Sequence, residues 1–175
     1  MNRQYSYRSP QLLRALQQSP SAAAEVAGSP DYPDIHGRVS FRQTPFGVLV
    51  SAEISGFPSS DPPCGRRVFA FHIHEGTSCT GNASDPFSDA LTHYNPNRCE
   101  HPRHAGDLPP LLENNGYAFS VFLTDRFSVD EVIGRTVIIH AEPDDFTTQP
   151  SGNAGKKIAC GVIEQYPSHR HPCIC

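Results

Sequence analysis

The stretch Arg67-Val-Phe-Ala-Phe-His-Ile-His74 gives the clearest local indication of structure in this chain. Its pattern predicts a β-strand, in which successive side chains point to opposite faces. His72 and His74 then share one face, while Phe71 and Ile73 point into the core. Two imidazoles on one face can chelate a metal ion, but surface or packing histidines give the same pattern.

More candidate ligands follow this strand. A long loop runs from Glu75 to about Pro110, and loops beyond ~12–15 residues are uncommon unless they are functional. A solvated polar loop would explain one histidine there, but not three histidines with an aspartate. The candidate metal ligands, which include six of the nine histidines, are His72, His74, His93, His101, His104, Asp107 and His140. Imidazole suits copper and zinc, and seven ligands exceed the need of one ion. The sequence therefore predicts two metals.

The remaining pattern predicts an all-β fold. Alternating residues at 36–43 and 47–54 predict a hairpin. The segment Asn114-Asn115-Gly116, between Leu111-Leu112 and the run 117–123, predicts a second one. With the segments that end at His140 and run over 158–163, about eight short strands and two long loops predict a sandwich or barrel.

Composition limits the classes of protein that this chain could represent. The 17 Pro and 13 Gly among 175 residues favour short strands and turns. A formal charge of -4 is too mild to argue for a nucleic acid or membrane partner. No apolar run approaches the ~20 residues that span a bilayer. The first 20 residues show no secretory signal, so we expect a cytoplasmic location.

Three segments are expected along the chain. Residues 1–22 form an N-terminal extension, in which leucines at helical spacing predict a short amphipathic turn or a loose arm. Residues 23–166 form the domain, and residues 167–175 form a tail that contains Cys and His. The six cysteines permit disulfides, although the missing signal argues against an oxidising compartment.

Five blocks of this sequence, in order, resemble the motifs of copper/zinc superoxide dismutases. The blocks are Phe71-His-Ile-His-Glu75, Thr92-His-Tyr-Asn-Pro96, His104-Ala-Gly-Asp-Leu108, Ile133-Gly-Arg-Thr-Val-Ile-Ile-His140 and Gly152-Asn-Ala-Gly-Lys-Lys-Ile-Ala-Cys-Gly161. The resemblance covers roughly residues 23–166. It implies an eight-stranded Greek-key β-barrel of immunoglobulin-like sandwich build, and dismutation of superoxide to dioxygen and hydrogen peroxide.

The same resemblance implies a role for each ligand. Copper would be bound by His72, His74, His93 and His140. Zinc would be bound by His93, His101, His104 and Asp107. His93 would bridge the two ions, so that seven residues fill eight ligand positions. Asp144 would accept hydrogen bonds from His72 and His101 and fix their orientation. Cys79 and Cys160 would form the disulfide of the family.

His93 and Lys157 are the candidate catalytic residues. His93 would take up a proton when its bond to copper breaks. Lys157 stands where the family usually has arginine, so it keeps the positive charge that attracts an anion but loses the planar fork of donors. The alternative function is a non-catalytic copper/zinc-binding or copper-chaperone-like protein of the same fold.

The remaining cysteines are open questions in the sequence. Cys173 and Cys175 resemble the C-terminal Cys-x-Cys of copper chaperones for superoxide dismutase, and two thiolates suit Cu(I). The tail could capture copper or assist formation of the Cys79–Cys160 bond, or it could be incidental. Cys64 and Cys99 could pair, bind metal or stay reduced. A monomer and a homodimer both remain possible.

Overall fold

The structure is a computed structural model that describes residues 8–58 and 68–167. Its strands are β1 (Ala22–Gly28), β2 (His36–Thr44), β3 (Gly47–Ser55), β4 (Val68–Phe69), β5 (Phe71–His74), β6 (Leu111–Leu112), β7 (Tyr117–Thr124), β8 (Thr136–His140) and β9 (Lys157–Gln165). The helices are α1 (Ser9–Leu16) and the single turn α2 (Val129–Val132), with a 3-10 turn at Ser88–Ala90. No helix within the described ranges is long and apolar enough to cross a bilayer.

Seven strands form one antiparallel sheet in the order β5-β8-β9-β1-β2-β3-β7. The chain passes between the two ends of this order three times, after β3, after β5 and after β7, and the passages after β3 and β7 are Greek-key connections. β4, which leads into β5, pairs with β6, which leads into β7. This pairing links the two outer strands of the sheet and completes the barrel. The predicted all-β Greek-key barrel is confirmed.

The strand predicted at 67–74 is present, but it is interrupted. The N–H of Ala70 donates to the carbonyl oxygen of Glu142 at 2.9 Å, outside the ladder, so β4 and β5 are separate elements. Counted together, they give the eight strands that the sequence predicts. Phe71 and Ile73 are fully buried in the main core, as expected.

Two details differ from the sequence analysis. The second predicted hairpin is only partly present, because β6 pairs with β4 and a single bridge, Asn114 to Tyr117, joins its end to β7. β1 was not recognised, since its residues Ala-Ala-Ala-Glu-Val-Ala-Gly are mostly alanine, which is depleted in strands. It is a strand because it pairs with both β2 and β9, and its largely alternate burial shows that one face of it lies on the core. The predicted hairpin of β2 and β3 is confirmed.

Candidate metal centre

Sheet register places three of the predicted ligands. His72 and His74 lie on β5, which pairs with β8 from Phe71 opposite Ile139 to His74 opposite Thr136. β8 ends at His140, whose N–H donates to the carbonyl oxygen of Ala70 at 2.9 Å. Side chains from neighbouring strands therefore converge at one end of the barrel.

The long loop brings His93 to the same place by backbone hydrogen bonds. The N–H of Tyr94 donates to the Ile73 carbonyl at 2.8 Å, and the N–H of Glu75 donates to the Thr92 carbonyl at 2.9 Å. His93 thus lies beside His74 in a short antiparallel bridge. This contact extends the sheet by a few residues of the loop.

Two groups of four side chains result. The strand group has its ligand atoms within 4.8 Å of one another and consists of His72, His74, His93 and His140. The loop group meets the same limit and consists of His93, His101, His104 and Asp107. All seven residues are buried, and His93 belongs to both groups.

In the strand group, the hydrogen bonds of two imidazole rings leave an unprotonated nitrogen on each, and these two nitrogens face each other. His74 Nδ1 donates to the Leu91 carbonyl at 2.9 Å, and His140 Nδ1 donates to the Gly155 carbonyl at 3.2 Å. A carbonyl only accepts, so a neutral ring then carries a lone pair on Nε2. The two Nε2 atoms lie 3.2 Å apart. A proton or a metal ion must lie between two such lone pairs.

The electrostatic environment argues against a proton there. Burial, followed by the nearby His72, lowers the pKa of His140 to about 3. Burial, followed by the nearby His140, also lowers the pKa of His74 well below its usual value. Neutral imidazoles at neutral pH are the form that binds metals. The strand group therefore fits a cation such as copper.

Three buried ring nitrogens of the described residues support the same conclusion, because they have no hydrogen-bond partner there. These atoms are His72 Nδ1, His93 Nε2 and His101 Nδ1. Buried polar atoms without a partner are rare in native structures, and a metal ion is one of the few explanations. Two of the atoms face the strand group and one faces the loop group.

Asp107 organises the loop group. Its carboxylate oxygens lie 2.7 Å from His93 Nδ1 and 3.2 Å from His104 Nδ1. They also lie 3.1 Å from His101 Nδ1, which makes no hydrogen bond to them. Burial raises the pKa of Asp107, but the hydrogen bond from His93 and the nearby histidines outweigh it, so the pKa falls below its usual value. A carboxylate with three imidazoles is a closed zinc set.

Asp144 connects the groups through the other ring nitrogens. His72 Nε2 donates to its Oδ2, and His101 Nε2 donates to its Oδ1, both at 2.8 Å. Burial opposes ionisation, but the hydrogen bonds from His72, Phe146 and His101 lower the pKa of Asp144 to about 2. Each donated proton fixes a tautomer, so Nδ1 of both rings is free for a metal. The contacts are those that the resemblance implies for Asp144.

Sequence reasoning missed three residues that support this region. Gln149 accepts from the His101 N–H at 3.0 Å and donates to the His101 carbonyl at 2.7 Å. Arg126 Nη1 donates at 3.2 Å to the carbonyls of Pro102, His104 and Asp107. A Cβ at Gly152 would overlap the Asp144 carboxylate. Neither the glutamine nor the arginine stands in a pattern that marks it, but Gly152 opens one of the five motif blocks.

The comparisons with known proteins agree with this geometry. The family model described as copper/zinc superoxide dismutase matches residues 35–163. The chain belongs to the copper/zinc superoxide dismutase family. It is 34% identical over 145 residues to superoxide dismutase [Cu-Zn] 1 of Aquifex aeolicus, covering 73% of this chain and 79% of that protein. It is 34% identical over 178 residues to the Deinococcus radiodurans superoxide dismutase [Cu-Zn], covering 87% and 93%.

A solved structure of the family has the same fold. The Cu/Zn superoxide dismutase from Brucella abortus superposes with a TM-score of 0.68 at 25% identity, covering 82% of this chain and 99% of that one. The disulfide expected in a copper/zinc superoxide dismutase is present between Cys79 and Cys160. Cys99 is free and exposed. Cys64, Cys173 and Cys175 lie outside the described residues.

Lys157 lies at the wall of the cavity that opens onto the strand group. This cavity of about 880 Å³ is lined by His74, His93 and His140, among other residues. Lys157 Nζ donates to Asp85 Oδ2 at 2.6 Å and to the Phe87 carbonyl at 3.0 Å. Lys157 therefore lies beside this cavity, but its ammonium is paired with a carboxylate that the sequence did not reveal.

Proposed function

We propose that this chain converts superoxide to dioxygen and hydrogen peroxide at a copper ion held by the strand group, next to a zinc ion held by the loop group. The observation that carries the proposal is that His93 belongs to both groups of ligands. Its Nδ1 lies in the loop group, 2.7 Å from Asp107 Oδ1, while its buried Nε2 has no hydrogen-bond partner among the described residues and belongs to the strand group. One ring is available to two ions.

The residues divide the work of the reaction. Copper, when bound, supplies the one-electron redox chemistry by which one superoxide is oxidised and another is reduced, a role that redox-inert zinc cannot take. His72 is fully buried, whereas the other three members of the strand group line the cavity and meet the substrate. His93 Nε2 is the atom proposed to hold a proton for the product. Asp107 fixes this ring from the opposite side.

The cavity is far larger than a diatomic anion, so charge rather than fit must favour superoxide. The proposed role of Lys157 is to offset the negative charge of the Asp85 carboxylate at this wall. Its replacement by alanine would leave the Asp85 carboxylate without its partner, and a bare anion there repels superoxide. We expect Lys157→Ala to reduce activity strongly and to alter its dependence on salt. An unchanged rate and salt dependence would contradict this role.

The test of the proposed function combines metal content with turnover. Protein reconstituted with both metals should hold one copper and one zinc per chain and consume superoxide. His140→Gln should lose copper and activity, whereas His36→Gln, which changes an exposed histidine that belongs to neither group, should lose neither. Zinc alone with no activity in the wild type would instead favour a non-catalytic metal-binding protein.

The C-terminal tail carries a separate proposal. Pro167, the last described residue, lines a surface cleft together with Cys79 and Cys160. A tail that starts there supports the idea that Cys173 and Cys175 capture copper or assist formation of the disulfide. Deletion of residues 167–175 should slow copper loading when copper is limiting. Equal loading with and without these residues would remove the idea.

The oligomeric state and the compartment also stay predictions. We propose a monomer or a homodimer, which sedimentation of the full chain would distinguish. We propose a cytoplasmic location, although one relative, 34% identical over 145 residues, is named extracellular superoxide dismutase of Mus musculus. Fractionation of the source cells would decide between these compartments.

A further inference from the structure

The two lysines of this chain stand side by side at the cavity. Lys156 and Lys157 are the only lysines among the 14 basic Lys and Arg residues, and both line the cavity that leads to the strand group. The remaining residues that line it include three carboxylates, Asp31, Glu75 and Asp85. An approaching anion therefore meets both positive and negative groups. Its attraction to the cavity depends on whether each lysine is paired with a carboxylate.

The two ammonium groups are in different states. Lys157 Nζ lies 2.6 Å from Asp85 Oδ2, and its side chain is only 14% exposed. Lys156 is exposed, and its ammonium has no ion pair or hydrogen bond within residues 8–58 and 68–167. The field of an ion pair falls off faster with distance than the field of a single charge. Lys156 thus contributes more to the attraction of a distant anion.

Asp85 is held in place by its own loop. Its Oδ1 accepts from the Phe87 N–H at 3.0 Å, and its carbonyl accepts from the N–H groups of Asn82 and Ser88 at 3.0 and 3.1 Å. The disulfide joins this loop, at Cys79, to the strand that begins with Lys157. The carboxylate is therefore positioned before any ligand arrives.

We propose that Asp85 is a positioning residue that holds the Lys157 ammonium against the cavity wall and compensates its charge, so that Lys156 carries the uncompensated charge that draws superoxide inward. This inference rests on the proposed function for its substrate. The restraint of Lys157 by Asp85 can be measured without an assay of superoxide consumption.

Acetylation tests the restraint. With only two lysines, peptide mass spectrometry can follow each after treatment with acetic anhydride. The ammonium of Lys157 is shielded and held by Asp85 and by the Phe87 carbonyl, whereas that of Lys156 is exposed. We expect Lys157 to react at least about tenfold more slowly than Lys156, because acetylation must break these contacts. Asp85→Asn should remove most of this difference, since asparagine retains the acceptor for Phe87 but not the charge.

Asp89→Asn is the matched control for that variant. Asp89 belongs to the same loop, is exposed and bonds to Thr80 rather than to a lysine. It changes the net charge equally and should leave the acetylation of Lys157 unchanged. Equal acetylation of both lysines in the wild type, or protection of Lys157 that survives Asp85→Asn, would overturn the proposal.

Steady-state kinetics of the copper- and zinc-loaded protein tests the division of roles. Lys156→Gln should lower kcat/KM roughly threefold at low ionic strength and flatten its salt dependence, because steering depends on unscreened charge. Lys156→Arg should restore both. The double variant Asp85→Asn with Lys157→Gln removes a neutral pair and should keep a salt dependence close to that of the wild type. A double variant as slow as Lys157→Gln alone would show that Lys157 itself attracts the anion, which overturns the proposal.

The two experiments separate the possible failures. If the loaded wild type consumed no superoxide, the proposed function would fail, but the acetylation rates would still decide whether Asp85 restrains Lys157. If turnover is normal and Lys156→Gln leaves the salt dependence unchanged, only this further inference fails.

Discussion

The strand group and the loop group reach the same kind of buried geometry in different ways. Three members of the strand group lie on β5 and β8, so pairing between strands fixes their positions. The loop group is provided by one segment, 93–107, that has little regular structure. Its members are positioned by hydrogen bonds to Asp144, Gln149 and Arg126.

Because of this difference, the two groups should depend to different degrees on individual supporting contacts. A group on paired strands is as stable as the sheet and should survive the loss of one neighbouring hydrogen bond. A group on a loop depends on each of its supports, because ordering a loop costs about 1–2 kcal/mol per residue in backbone entropy. Variants at the supports of each group should therefore affect copper and zinc binding differently.

The largest expected effect concerns the link between loop and sheet. Replacement of both Cys79 and Cys160 by serine removes a bond between residues 81 positions apart. The free energy of unfolding should fall by about 4–5 kcal/mol, because the unfolded chain gains freedom. Urea denaturation measures this change. Cys99→Ser, at a free exposed cysteine, is the control and should change little; an equal loss in both would contradict the expectation.

Asp144→Asn should discriminate between the groups most clearly. The amide keeps one acceptor oxygen, so one of His72 and His101 loses its partner. Loss of such a contact lowers metal affinity about 10–100-fold, and we expect zinc to be affected more than copper, since β5 still holds His72. Competition with a chelator measures both affinities.

Asp145→Asn is the control for that variant. Asp145 is exposed and bonds to Thr147 and Thr148, and an asparagine can accept the same backbone hydrogen bonds. It should leave both metals bound. Equal losses of zinc and copper in Asp144→Asn would argue against the contrast between strand and loop.

Gly152→Ala tests the space around the same carboxylate. Gly152 has φ of +66°, and a Cβ there would overlap Asp144. We expect zinc affinity to fall about tenfold as Asp144 moves. Gly134→Ala separates this effect from backbone strain, because Gly134 has φ of +83° but nothing within 4 Å of the added Cβ. Gly134→Ala should lower the free energy of unfolding by about 1 kcal/mol and leave zinc binding unchanged. A similar loss of zinc in both variants would refute the steric explanation.

Arg126→Gln should have the smallest effect. It removes a cation that donates to three carbonyls of the loop, and we expect zinc to dissociate a few times faster while copper is retained. Arg103→Gln is the control, since Arg103 makes an exposed ion pair with Glu100 at 3.7 Å, which contributes little. Zinc release at the wild-type rate in Arg126→Gln would show that the loop does not depend on this residue.

The same contrast explains what the sequence could predict. The side chains of β5 repeat every two residues, so His72 and His74 could be placed on one face from spacing alone. The loop ligands were identified by composition and by their resemblance to a family motif, and not by geometry. Gln149, Arg126 and Asp85 act across 48, 22 and 72 positions of sequence. No local pattern marks such long-range contacts, and an aspartate in a polar loop resembles any solvated residue.

The missed strand β1 has a comparable reason. Its alanines have low strand propensity, and they are strand residues because β2 and β9 lie on either side of them. The break at Ala70 also depends on a distant residue, Glu142. Tertiary pairing, rather than local preference, determines these elements.

Anomalous diffraction from crystals of the loaded protein, at the copper and zinc absorption edges, locates each metal relative to His93. We expect a copper peak on the Nε2 side of His93 and a zinc peak on its Nδ1 side. A single peak, or two peaks with neither adjacent to His93, would contradict the shared imidazole on which the proposed function rests.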